Sequence, residues 1–184
     1  KRANVTLAGG ETATLPGIVT ELDLSGTALG WLPSGKAIAG SDIRPDDVLI
    51  GFPSSGIHSN GFSLVRKVVS KSGMSLTEPC PFSPEHESRS VEFDHGDLGS
   101  VLLNPTRIYV DPIVELLFSD MAICKRESIH GIAHITGGGL SNLLRLNQSV
   151  QFLIADPLDP QPEFEWIASE GQVSEWEMHR VFNM

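Results

Sequence analysis

Val48-Leu49-Ile50-Gly51-Phe52-Pro53-Ser54-Ser55-Gly56-Ile57-His58-Ser59-Asn60-Gly61-Phe62-Ser63-Leu64-Val65-Arg66-Lys67-Val68-Val69 is the stretch on which the fold turns. Its first residues form a short apolar run, as a buried strand requires. A loop rich in Gly and Ser follows. Phe62, Val65 and Val69 then share one helical face with Arg66 and Lys67 turned away, and Gly73 stands where a left-handed C-cap belongs. This is strand, loop, helix, and the loop sits where free N–H groups and the helix dipole favour an anion. The spacing of Gly51 and Gly56 matches a P-loop, but Ile57-His58 stands where that motif needs Lys followed by Ser or Thr. Ser54, Ser55, Ser59 and Asn60 offer neutral donors, and His58 can donate a hydrogen bond or move a proton. The same residues also suit a plain turn, with glycines at positive φ and Ser or Asn as helix caps. Both readings stand on this stretch alone.

A second unit repeats the order. Ile129 to Ile135 reads as a strand, Thr136-Gly137-Gly138-Gly139 as its loop, and Leu140, Leu143 and Leu144 as the apolar face of a helix ending near Leu146. A helix cap needs one glycine, and three in a row cost backbone entropy, so a closely approaching ligand explains them better than a turn. His134 alternates away from Ala133 and Ile135, either toward a cleft or into a satisfied core position, and the core reading is preferred. Further on, Val150 to Ile154 is a strand and a helix around Phe164, Trp166 and Ile167 ends near Gly171. The last helix starts on a capping-box pattern, Ser174 with Glu177, and Val173 with Met178 has staple spacing.

Between these units, Met74 to Asn104 reads as a long surface excursion. His86 and His95 with Glu85, Glu87, Asp94 and Asp97 are expected to be solvated rather than a metal site. Pro105 to Ser119 resumes as an amphipathic helix with Tyr109, Ile113, Leu116 and Leu117 inward and a possible kink at Pro112. Toward the start, Val19 to Trp31 reads as a strand, and Leu32-Pro33-Ser34-Gly35 as a break. The expected domains are therefore 1–34 and 35–184. Gly9-Gly10-Glu11-Thr12-Ala13 sets a carboxylate beside a flexible pair, suited to Mg²⁺ or an amidinium group.

Composition bounds the function. The chain has 184 residues, 13 Lys and Arg against 23 Asp and Glu, and a formal net charge of −10. That balance argues against a nucleic-acid backbone as partner, while leaving room for a small phosphate held by backbone N–H groups. No apolar run is long enough to cross a bilayer and no signal segment opens the chain, so no membrane role and a cytosolic setting are expected. Cys80 and Cys124 fit neither zinc spacing nor a disulfide framework and are read as reduced.

Several segments, in order along nearly the whole chain, resemble the aminoimidazole ribonucleotide synthetase family. They are Gly9-Gly10-Glu11-Thr12-Ala13 with Pro16-Gly17, Asp23-Leu24-Ser25-Gly26, Asp47 to Ile50, and Ser54 to Lys67. Pro105-Thr106-Arg107-Ile108-Tyr109-Val110, Ile132 to Leu140, and Glu177 to Asn183 complete the set. The resemblance implies an α+β fold: a mixed β-sheet with packed helices, preceded by the tail of an N-terminal domain that forms a dimer core. It implies an ATP- and Mg²⁺-dependent ring closure of formylglycinamidine ribonucleotide, in a homodimeric parent enzyme. Glu11 would hold metal or substrate. Ser55, Ser59 and Asn60 would line the cleft beside His58, the candidate polarising or proton-handling residue, and Thr136 with Gly137, Gly138 and Gly139 would contact a phosphate.

Some family features are not found. The Asp-Gly-Val-Gly-Thr-Lys stretch tied to ATP and metal is missing, as is the glycine-bearing strand expected after Asn183. Thr14-Leu15 replaces an acidic residue followed by Met. The chain is accordingly expected to be an internal piece without turnover of its own. Another ATP-using member of the superfamily, selenophosphate synthetase or an enzyme like the synthetase that forms formylglycinamidine ribonucleotide, and a non-catalytic binding or dimerisation module are the rival readings.

Overall fold

The computed structural model describes residues 3–83, 96–119 and 124–184. They fall into two compact units. One draws on Lys1–Ile38 and Ile108–Arg126, the other on Ala39–Arg107 and Glu127–Met184.

The second unit holds the core. Helix α1, Phe62–Ser72, buries Val65 and Val68 and ends on Gly73 at φ 72°, as its sequence predicts. Helix α2, Leu98–Leu102, starts on Asp97, whose carboxylate accepts the Ser100 N–H at 2.7 Å. Helix α4, Pro162–Gly171, buries Phe164, Trp166 and Ile167, and helix α5, Glu175–Val181, buries Met178. Helix α1 packs chiefly on α4. The rings of Phe164 and Phe182 meet edge to face with centroids 5.6 Å apart, and Leu98, Leu102 and Ile57 complete the cluster. Edge-on aromatic pairs add attraction beyond the area they bury.

Helix α2 corrects the expected surface excursion across Met74 to Asn104. Leu98, Val101 and Leu102 are core residues. The cue was an Asp cap followed by a short Leu-Gly-Ser-Val-Leu run, too brief for periodicity to show. The expected helix after the glycine triplet forms as a tighter 3₁₀ helix, Gly139–Arg145. At α5 the cap is half a capping box. Ser174 Oγ accepts the Glu177 N–H at 3.3 Å, while the Glu177 carboxylate turns to Arg180 in a two-pronged pair at 2.7 and 2.8 Å.

The mixed sheet expected at 48–52, 129–135 and 150–154 is not formed among the described residues. These segments carry no ladder, and the one β-bridge there joins Pro79 to Asp97. An isolated extended segment leaves its N–H and C=O groups to solvent, and its apolar side chains stay out as well: Val48 is 84 % and Ile50 81 % exposed. The segment leading into the first loop is anchored elsewhere. The Asp47 carboxylate meets His130 Nδ1 at 2.7 Å, and the Asn147 amide donates to the Gly40 and Ile43 carbonyls. The bond from His130, followed by one from Arg44, holds Asp47 below the usual carboxylate range.

In the first unit, the expected strand at 19–31 is likewise without a ladder, and Leu24, Leu29 and Trp31 are exposed. Helix α3, Val110–Phe118, has Tyr109 before it, with Ile113, Leu116 and Leu117 half-buried and the opposite face exposed. Pro112 falls in the first turn, where its missing N–H would have had no intrahelical partner, so it does not interrupt the helix.

Two substitutions test this packing by urea unfolding of the chain. Ile167→Ala, at a fully buried position, is expected to cost about 2–5 kcal/mol. Ser174→Ala, which removes only the α5 cap, is expected to cost about 1 kcal/mol.

Candidate functional site

The loop between residue 51 and α1 folds around His58. Ser55, Ile57 and His58 are all buried. The Ser55 N–H donates to His58 Nε2 at 3.0 Å, and Ser55 Oγ lies 3.1 Å from the same nitrogen. Ser55 Oγ also donates to the Pro105 carbonyl at 2.9 Å, and the Asn104 amide donates to the Ser55 carbonyl. Because a backbone N–H can only donate, Nε2 must be the acceptor and the ring proton belongs on Nδ1. His58 is thus a neutral imidazole. Burial first, then the electrostatic influence of His134 and Arg107, pushes its pKa down to about 4. Its backbone sits at φ 53°, in the left-handed region that His, Asn and Asp enter more readily than other non-glycine residues.

Asn60 joins this loop to the glycine triplet. Its Oδ1 accepts the Gly137 N–H at 3.0 Å, and its Nδ2 donates to the Ile57 carbonyl and to Asn183 Oδ1, each at 3.3 Å. The two loops singled out by sequence are therefore one structural neighbourhood. On the other flank, Ser54 and Gln161 exchange hydrogen bonds, Oγ to Oε1 at 3.0 Å and Nε2 to the Ser54 carbonyl at 3.2 Å, fixing the loop to the start of α4. Glu163 is buried next to Gly56, where an added Cβ would lie 2.7 Å from Glu163 Oε1.

The glycines at 137–139 pack against other parts of the chain. The Gly137 N–H goes to Asn60, the Gly138 N–H to the Arg180 carbonyl at 2.9 Å, and the Gly139 N–H to the Thr136 carbonyl at 2.9 Å. All three donors are engaged inside the protein. A Cβ on Gly139 would come within 2.6 Å of the His179 and Met184 carbonyl oxygens. Close approach of the chain's own backbone accounts for a glycine there. Thr136 is half-buried and bonds through Oγ1 to Asn142 Oδ1 at 3.5 Å, and the buried Asn142 amide donates to the Gly139 carbonyl at 2.6 Å.

The remaining candidates are placed as follows. Ser59 is exposed and lines an open depression of about 500 Å³ with Phe62, Ser63, Lys67, Glu177 and Val181. His134 is exposed, which corrects the preferred core reading. Glu11 is exposed and belongs to the first unit. Among the described residues there is no group of three or more His, Cys, Asp or Glu side chains placed to hold a metal ion. His86, His95, Glu85, Glu87 and Asp94 lie outside the described residues. Cys80 and Cys124 are free thiols, and no described helix is long and apolar enough to cross a membrane. Sequence reading missed Asn104, Gln161, Asn142 and Glu163, single polar residues whose only cue is burial.

Residues 44–184 match the family model described as AIR synthase related protein, C-terminal domain, and the chain belongs to that family. Its relatives narrow the class. The chain is 42% identical over 182 residues to a phosphoribosylformylglycinamidine cyclo-ligase of Methanosarcina acetivorans, covering 99% of this chain and 49% of that protein. It is 44% identical over 182 residues to the cyclo-ligase of Methanothermobacter thermautotrophicus, with the same coverage. The Gloeothece citriformis cyclo-ligase is 45% identical over 188 residues, covering 99% of this chain and 50% of that protein. The chain thus spans about half the length of the curated relatives it matches.

Two outcomes follow. The folded His58 binds its proton less tightly than an unfolded histidine, so protonation favours the unfolded chain. Stability is expected to be full above about pH 6.5 and to fall as pH drops toward 4, with a shallower fall in His58→Asn, read from urea midpoints across pH. Gly139→Ala is expected to destabilise by about 2 kcal/mol or more, since two backbone carbonyls must move.

Proposed function

We propose that the complete protein closes the imidazole ring of formylglycinamidine ribonucleotide at the expense of ATP. In that reaction ATP phosphorylates the amide oxygen of the substrate. An amidine nitrogen attacks the activated carbon, the ring C–N bond forms, the C–O bond breaks and phosphate leaves. The observation that carries the reading is the Asn60–Gly137 contact, which unites the two motif loops around a buried, neutral histidine. The relatives' shared name agrees with it.

On this reading Ser55, Ser59 and Asn60 line one wall of the cleft and Thr136 to Gly139 the other. His58 acts as a neutral hydrogen-bonding group that shapes and polarises the Ser55 turn, because its Nε2 lone pair is already engaged. The described residues do not assemble a magnesium site by themselves. Glu11 would contribute one carboxylate to a set completed by other parts of the protein. The extended segments 48–52, 129–135 and 150–154 would pair into the family's mixed sheet, with a domain boundary near residue 34. A cytosolic homodimer is part of the same proposal.

The engaged N–H groups of Gly137 to Gly139 are also what a non-catalytic module would need, so the test must separate the two. A complete cyclo-ligase carrying this chain, given formylglycinamidine ribonucleotide and ATP, is expected to form aminoimidazole ribonucleotide. His58→Ala is expected to lower turnover at least about tenfold without unfolding the protein, because the Ser55 turn loses its positioning. The isolated chain is expected to show negligible ring closure. A folded complete protein that neither closes the ring nor binds ATP would sink the enzymatic reading.

A further inference from the structure

Three amide contacts run in one direction through the site. The Gly137 N–H donates to Asn60 Oδ1 at 3.0 Å, Asn60 Nδ2 donates to Asn183 Oδ1 at 3.3 Å, and Asn183 Nδ2 donates to the Gly56 carbonyl at 3.1 Å. The order cannot be reversed. Gly137 can only donate, so Asn60 must offer it oxygen and turn its NH₂ to Asn183, which must then turn its own NH₂ to Gly56. Flipping either amide would set donor against donor or acceptor against acceptor.

Asn183 therefore reaches both loops: Gly56 directly, and Gly137 through Asn60. Its backbone is held in place. Phe182 is buried with its ring against Phe164, and the Arg180 carbonyl, one turn back in α5, accepts the Gly138 N–H. We propose that Asn183 is a positioning residue, a clamp through which the segment after α5 keeps the two loops in register. The proposal rests on the ring-closure reading only in treating those loops as walls of the active cleft.

Amide hydrogen exchange at Gly137 tests the clamp, because Asn183 does not bond Gly137 itself and a purely local loss would leave that amide alone. In the 184-residue chain, Asn183→Ala is expected to speed Gly137 exchange roughly tenfold or more, with the Val68 and Ile167 amides unchanged. Asn60→Ala is expected to do the same, and adding Asn183→Ala to it to have no further effect, since the two act through one path. If Asn183→Ala also disturbs the core amides, Asn183→Leu takes its place with the same expectation. It nearly keeps the volume but can neither accept from Asn60 nor donate to the Gly56 carbonyl. Unchanged Gly137 exchange in a variant with native core rates would overturn the proposal, as would additive effects in the double variant. No substrate enters this measurement. A failed ring-closure assay would leave the clamp standing, and a failed clamp would leave the ring-closure assay intact.

Discussion

The hydrogen bond from the Gly137 N–H to Asn60 Oδ1 is the contact on which the arrangement of the site depends. A glycine-rich loop has little side-chain packing to hold it, and each of its backbone donors needs an acceptor. Here the acceptors are supplied by three places in the chain: Asn60 from the first loop, Arg180 from α5, and Thr136 from the loop itself. With those made, a flexible triplet becomes a defined surface. Asn60 can play this part because it carries both an acceptor and two donors, which a serine or an aspartate at the same position would not.

Around that contact the fold works as a frame. The core formed by α1, α4 and α5 places Phe182 against Phe164, and this apolar anchor sets where the last residues lie. Gly139 has no Cβ because the His179 and Met184 carbonyls occupy that space. Gly56 is open to the buried Glu163 in the same way. Gly139 and Gly56 are thus places where backbone or a buried acid comes close. His58 belongs to the same frame: desolvated beside Arg107 and His134, it stays neutral and accepts the Ser55 N–H, which closes the turn.

The helices were legible in the sequence to different degrees. Helix α1 could be read because Phe62, Val65 and Val69 repeat at helical spacing and Gly73 ends the run. Helix α5 could be read from Ser174, although Glu177 prefers Arg180 to the reciprocal cap, a choice between two nearby donors that spacing cannot settle. Helix α2 is too short to show a period, so its sequence reads as surface. The extended runs at 48–52 and 129–135 have strand-like sequences, but a strand is completed by a neighbour, and alternation along one segment does not supply one.

By itself, the sequence determined the family, the motif loops and the candidate residues within them, because these depend on residue identity and local order. Tertiary structure alone decided that Asn60 reaches Gly137 across 77 positions of chain, that Asn183 closes on Gly56 across 127, and that His58 is buried and neutral. The physical reason is that hydrogen bonds and desolvation act through space. Their partners are chosen by packing, which brings together residues that no local pattern relates.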